Sequence, residues 1–165
     1  MAGRRRLYRI VHEPYLFKFL VENFPPGTWD TNVRVGMPDE TVRAMVPEER
    51  WKGMLLNWMG RVDALVLLPD KVILIEAFIR NQFGKVEQLL YYDYLFEKDP
   101  RFKEHWDKPR ELWLVTPINC PPYFAFARKF GIKPVLYIPH EIVPYLETLT
   151  PRERTGKRRA FPISP

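Results

Sequence analysis

Asp63 and Glu76 are acids set inside apolar runs, 61–68 (RVDALVLL) and 71–79 (KVILIEAFI). A carboxylate in such a strand costs several kcal/mol unless it is paired, protonated or bound to a cation. The two runs flank Pro69 and Asp70, which read as the turn of a β-hairpin. With that turn, cross-strand partners have numbers summing to 139, and 63 and 76 are such a pair. Their Cβ atoms would lie roughly 4.5–5.5 Å apart, close enough to share one divalent cation and repulsive without it. A plainer arrangement also fits the spacing. In it both acids sit near strand ends, one facing water and the other bonded to Arg61 or Arg80.

A second group of polar residues follows the hairpin. Residues 84–96 (GKVEQLLYYDYLF) carry apolar residues at Val86, Leu89, Leu90 and Phe96, a helical spacing that starts near Gly84. Gln88 and Tyr92 are four apart and share one face, and Lys85 falls on the same stripe, three before Gln88 and seven before Tyr92. As isolated features, Gln88 and Tyr92 would cover a sheet edge and Lys85 would be solvated.

Taken in order, the strand acid Asp63, the second acid Glu76 and the following helix resemble the PD-(D/E)XK nuclease superfamily. The Gln88 and Tyr92 spacing resembles the Q-x-x-x-Y signature of its RecB-like branch. The resemblance covers about residues 14–138 and implies an α/β fold with an α-β-β-β-α-β core, a central mixed sheet flanked by helices. It implies that Asp63 and Glu76 hold Mg²⁺ or Mn²⁺, with the Ala77 carbonyl as a third ligand and His12 as a candidate fourth. Glu22 is a candidate outer-shell carboxylate. The family's lysine position falls on Phe78, which can neither orient a water nor neutralise an anion. Arg61, opposite Phe78 in the same register, is a candidate to fill the gap, and Lys85 is a candidate for a lysine moved onto the helix.

Two functions follow from the resemblance. The first expectation is a degenerate, non-catalytic member serving as an interaction or structural subunit of a DNA-handling assembly. Small proteins of this kind resemble those carried by phages, in head completion, connector or DNA-processing roles. The alternative is an active Mg²⁺- or Mn²⁺-dependent DNA endo- or exonuclease using Lys85, with Gln88 and Tyr92 beside it. Other enzyme classes find no motif: there is no Gly-rich phosphate loop, no His-Glu-x-x-His and no nucleophile elbow. Cys120 reads as a structural thiol.

The 165-residue chain carries a net charge of +6, and its location matters more than its size. Of 26 Lys and Arg and 20 Asp and Glu, nine basic residues and one acid lie at the two ends. Arg4, Arg5, Arg6 and Arg9 occupy the first, and Arg152, Arg154, Lys157, Arg158 and Arg159 the second, against Glu153. The stretch between carries 17 basic and 19 acidic residues and is no basic platform. Such ends suit phosphate contacts with DNA, or docking on acidic protein subunits. One cysteine excludes an internal disulfide, and no apolar run is long enough for a membrane span or a signal peptide. The expected location is intracellular or virion-associated.

The elements expected to position the site run in order along one domain, 14–149, between a basic arm at 1–13 and a basic tail at 150–165. They are a helix over 14–24, a strand over 32–36 and a loop over 37–51 with a helical turn after Asp39. The hairpin follows over 58–68 and 71–80, then a helix over 84–97, a strand over 111–116 and a helix over 121–130. A strand over 135–138 and a closing helix over 142–149 complete the order.

Overall fold

The structure is a computed structural model; it describes residues 2–80, 82, 84–150 and 153–154, with side chains described from residue 10 onward except that of Leu56. A five-stranded mixed sheet carries helices on both faces. In chain order the elements are α1 (Ala2–Asn23), β1 (Trp29–Val35), α2 (Glu40–Ala44), α3 (Glu48–Trp58), β2 (Gly60–Leu67), β3 (Val72–Ala77), α4 (Lys85–Phe96), β4 (Arg110–Thr116), α5 (Pro121–Lys129), β5 (Ile132–Leu136) and α6 (Val143–Glu147). The sheet order is β1-β2-β3-β4-β5. The pairs β1/β2 and β2/β3 are antiparallel, whereas β3/β4 and β4/β5 are parallel. Parallel neighbours need crossovers, and α4 and α5 supply them.

Alternation along β3 divides the core in two. Val72, Leu74 and Phe78 pack with Val86, Leu89 and Phe96 of α4 and Ala127 of α5. Ile73, Ile75, Ala77 and Ile79 pack with Tyr15, Leu16, Phe19 and Leu20 of α1. All six residues of β3 are buried, the pattern of a central strand covered on both sides. Each such Leu or Ile contributes about 1.5–3 kcal/mol by leaving water.

The hairpin register is the one read from the turn: Ala64 pairs with Ile75, Leu65 with Leu74, Val66 with Ile73 and Leu67 with Val72. Leu68 N–H donates to Lys71 O at 2.9 Å and closes the turn. Several boundaries differ from expectation. α1 runs through Pro14, so residues 2–13 continue the helix instead of forming a separate arm. Proline removes one intrahelical hydrogen bond, which the packing of the following apolar residues on the sheet offsets. Residues 48–58 form the helix α3 and not loop and strand, with Pro47 as its N-cap residue. β1 begins at Trp29 and β5 at Ile132, each three residues early. The closing segment is a 3₁₀ turn, His140–Ile142, followed by the short α6.

Several of the charged ends' residues lie outside the description. Arg152, Lys157, Arg158 and Arg159 are outside the described residues, and the side chains of Arg4, Arg5, Arg6 and Arg9 are not described. Arg154 is described, and its guanidinium bonds back to the carbonyls of Leu146 at 2.8 Å and Glu147 at 3.3 Å. Thr150 N–H donates to the Glu153 carboxylate at 3.0 Å. Among the described residues, no helix is long and apolar enough to cross a membrane.

Candidate active site

The site forms where β2 and β3 part. Beyond the Ala64–Ile75 pair, side chains replace the ladder: Asp63 N–H donates to Glu76 Oε1 at 3.1 Å, and Ala77 N–H donates to Asp63 Oδ2 at 2.9 Å. Each acid thus caps a backbone donor next to the other, which fixes both carboxylates without an arginine. The expectation that Arg61 faces Phe78 fails for this reason. The ladder has ended, and Arg61 is exposed and paired with Arg34 of β1.

A kink in two strands aims Asp63. Asn32 of β1 stands opposite Asp63 and has φ of 55°, the left-handed region, where Asn is among the few side chains tolerated. Before the kink Trp29 packs toward α1, and after it Val33 and Val35 pack toward α4. β2 changes face at the same level, with Val62 in one core and Ala64 in the other. Asp63 therefore sits between the two faces, within reach of both α1 and α4.

From α4 comes Lys85. Its ammonium bonds Glu76 Oε2 and lies 3.4 Å from Asp63 Oδ2. Gly84, with φ of 107°, turns the chain into the helix and puts Lys85 at its first position. The positive end of the α4 dipole therefore points into the acid pair. From α1 comes His12, whose Nε2 is 3.1 Å from Ala77 O and 3.7 Å from Asp63 Oδ2. A carbonyl can only accept, so the Nε2 facing the acids carries the proton. In this arrangement His12 is a donor and not a lone-pair ligand.

Tyr92, two turns along α4 from Lys85, is half-buried with its ring against Gly60; a Cβ there would come within 2.5 Å of the ring. Burial and the negative charge of Glu76 push its phenol above the usual range. Gln88 is exposed on the same helix. Phe78 is wholly buried and packs edge-on to Tyr123 at 6.1 Å, so the strand position at which the sequence resemblance expects a lysine is part of the core. Glu22 is remote from this cluster, bonded to the Tyr137 hydroxyl and to Lys18. Cys120 sits at the N-cap of α5, half-buried beside the α4 core.

Electrostatics single out Glu76. It is 1% exposed, and burial together with the Asp63 charge pushes its carboxyl up to about 8, against the pull of Lys85. Two carboxylates face one ammonium, so the Lys85 charge does not offset both acids at once. The native state therefore holds a proton on Glu76 that the unfolded chain releases near its ordinary pKa of 4.5. The contribution of Glu76 is thus most favourable below about 4.5 and is lost as pH rises through about 8. In metal-free buffer, Glu76→Gln should melt higher than wild type, by a margin that grows from pH 5 to pH 8. Differential scanning calorimetry across that range checks it, and a margin independent of pH contradicts it.

Among the described residues, no group of three or more His, Cys, Asp and Glu side chains is arranged to hold a metal. The donors present are two carboxylates and the Ala77 carbonyl. That set is poor for zinc but fits Mg²⁺ or Mn²⁺, which are commonly held by one or two carboxylates with the remaining positions left to water and a substrate phosphate. Comparison with known proteins finds no matching family model, no matching curated protein and no matching solved structure.

The sequence reading named Asp63, Glu76, Lys85 and His12, and the structure brings these four together. It did not name Asn32 or the backbone donors of Asp63 and Ala77. An asparagine between Thr31 and Val33, in the middle of an otherwise strand-forming run, was the available signal for the kink.

Proposed function

We propose that this chain is a metal-dependent DNA nuclease of the PD-(D/E)XK type whose lysine has moved from the strand to the following helix. One observation carries the reading: the Lys85 ammonium reaches both Glu76 and Asp63 from the first turn of α4. The order of the elements supports it, with the acid hairpin followed by the Lys85 helix and a parallel strand.

Asp63, Glu76 and the Ala77 carbonyl would hold Mg²⁺ or Mn²⁺. When bound, the cation supplies Lewis acidity toward a phosphoryl oxygen and acidifies water. Lys85 has two tasks that a strand lysine would otherwise perform. Its N–H groups orient a nucleophilic water, and its charge opposes the negative charge that develops on the phosphate. His12 donates toward Asp63 and Ala77 O and keeps that side of the pair from turning. The incompletely offset charge of the two acids favours cation uptake, because a cation lets Glu76 ionise.

The second reading is a non-catalytic subunit of a DNA-handling assembly, of the kind found in phage head completion, connector or DNA-processing roles. The burial of Phe78 in the core favours it, as does the Lys85 ammonium, which already occupies Glu76 Oε2 without metal. The two readings part on cation binding. Under the nuclease reading, millimolar Mg²⁺ or Mn²⁺ raises the melting temperature by several degrees at pH 8, and Asp63→Asn abolishes the rise. Wild-type melting indifferent to either cation favours the non-catalytic subunit.

A further inference from the structure

α4 begins without a cap of its own. Gly84, at its N-cap, offers the first turn no side chain, and the leading N–H groups of a helix have no acceptors within it. Val86, the second helical residue, is 1% exposed, so its N–H cannot reach water. Another element supplies the acceptor: the Tyr123 hydroxyl of α5 takes the Val86 N–H in a buried hydrogen bond of 3.2 Å. Burial pushes the Tyr123 phenol up, and the N–H groups of Val86, Lys85 and Gly84 draw it down, because its oxygen is aimed at the turn that carries them.

The ring is braced on two sides. Pro121 and Pro122 open α5, and Tyr123 follows with its ring edge-on to Phe78 at 6.1 Å and stacked on Phe126 at 6.3 Å, which fixes the hydroxyl by core packing. Lys85 is the neighbour of Val86 in the chain, and its ammonium bonds Glu76 and lies 3.4 Å from Asp63. Without the hydroxyl, the Val86 N–H would be buried and unpaired, a cost that the helix relieves by starting later. A later start withdraws the ammonium from the acids.

We infer that Tyr123 is a positioning residue for Lys85. By accepting the Val86 N–H, its hydroxyl fixes the start of α4 and so holds the ammonium on the acid pair, and Phe78 keeps the ring in place for that task. The part this plays in cleavage rests on the nuclease reading, whereas the hold on Lys85 rests on the contacts alone. Phe78 thus has a role at the position where the sequence resemblance expects a lysine: it supports, through Tyr123, the lysine that comes from the helix.

The test is a double-mutant cycle between Tyr123→Phe and Lys85→Met, read in two ways. In single-turnover cleavage with Mn²⁺ at saturating DNA, Tyr123→Phe should slow the step by on the order of 10- to 10²-fold, the scale of a displacement of about 1 Å, with the DNA concentration for half-saturation unchanged. In the Lys85→Met background the same change should slow it less than about twofold, because a hydroxyl that acts through Lys85 has no ammonium left to position. In urea denaturation of the metal-free protein, Lys85→Met should lower the midpoint less in the Tyr123→Phe background than in the wild type. Phe78→Leu keeps the hydroxyl but loosens its brace and should show the same non-additivity, so it stands in if Tyr123→Phe does not fold. In a wild type that cleaves, additivity in either reading, or a Tyr123→Phe protein that cleaves at the wild-type rate, overturns the assignment and leaves the nuclease reading standing. A wild type that cuts no DNA while the urea cycle stays non-additive removes the nuclease reading and leaves the hold on Lys85 standing. An additive urea cycle in a protein that does not cut removes both.

Discussion

Under the nuclease reading proposed above, replacing Lys85 with methionine should lower Mn²⁺-dependent DNA cleavage by on the order of 10²-fold or more, with the loss in kcat and not in KM. Methionine keeps most of the stem's packing and removes the ammonium. In the wild type that ammonium bonds Glu76 and lies 3.4 Å from Asp63, so it is positioned to oppose charge that appears only in the transition state. The variant should remain folded, since Lys85 is at a helix start and partly open to solvent. Its removal leaves two acids facing each other without a counter-charge, so the metal-free protein should melt lower and depend more on cation. Single-turnover kinetics with the melting temperature measured in the same buffer separates the two effects. An unchanged rate in a folded Lys85→Met protein would remove the lysine from the mechanism.

A lysine placed at the strand position of the PD-(D/E)XK motif should give no gain. Phe78→Lys places an ammonium at a wholly buried position whose ring packs on Tyr123 in the core under α4 and α5. Loss of the ring alone costs about 3–5 kcal/mol, and burial of a charge adds to it. Chemical denaturation should therefore show a loss of at least about 3 kcal/mol, with no gain in cleavage over wild type. A Phe78→Lys protein as stable as the parent would mean that this lysine reaches Glu76 after all. In that case the strand position, and not Lys85, is the one the site was built around.

The acid pair was legible because a hairpin's register follows from its turn. Pro69 and Asp70 set the pairing from Ala64 to Leu67, alternation along β3 set its two faces, and Glu76 was the polar residue that broke an apolar strand. α4 was equally legible from Gly84 and the spacing of Val86, Leu89 and Phe96. What the sequence could not give is how far a helix residue reaches. Lys85 meets the acids because Gly84, at φ of 107°, starts the helix at that residue, and a start one residue later would point the ammonium elsewhere.

Other elements were hidden for physical reasons. Pro14 looks like a helix start, since proline suits a first turn, yet it lies inside α1. α3 was masked by Pro38 and Pro47 and by Trp58 at its end, although Trp51, Met54, Leu55 and Trp58 follow a helical period. The kink at Asn32 involves two strands at once, and pairing across β1 and β2 cannot be read from either strand alone. His12 was named by position on the chain, but its contact with Ala77 O depends on α1 running unbroken past Pro14.

The most direct measurement is cleavage of end-labelled DNA, offered as single strand, blunt duplex and forked duplex, by wild type and Asp63→Asn with Mn²⁺ or with EDTA. The account predicts cutting by the wild type of at least one of the three that requires the cation and is absent from Asp63→Asn. Cutting that survives in EDTA or in Asp63→Asn would contradict it, as would a wild type that neither cuts any of the three substrates nor gains stability from Mn²⁺.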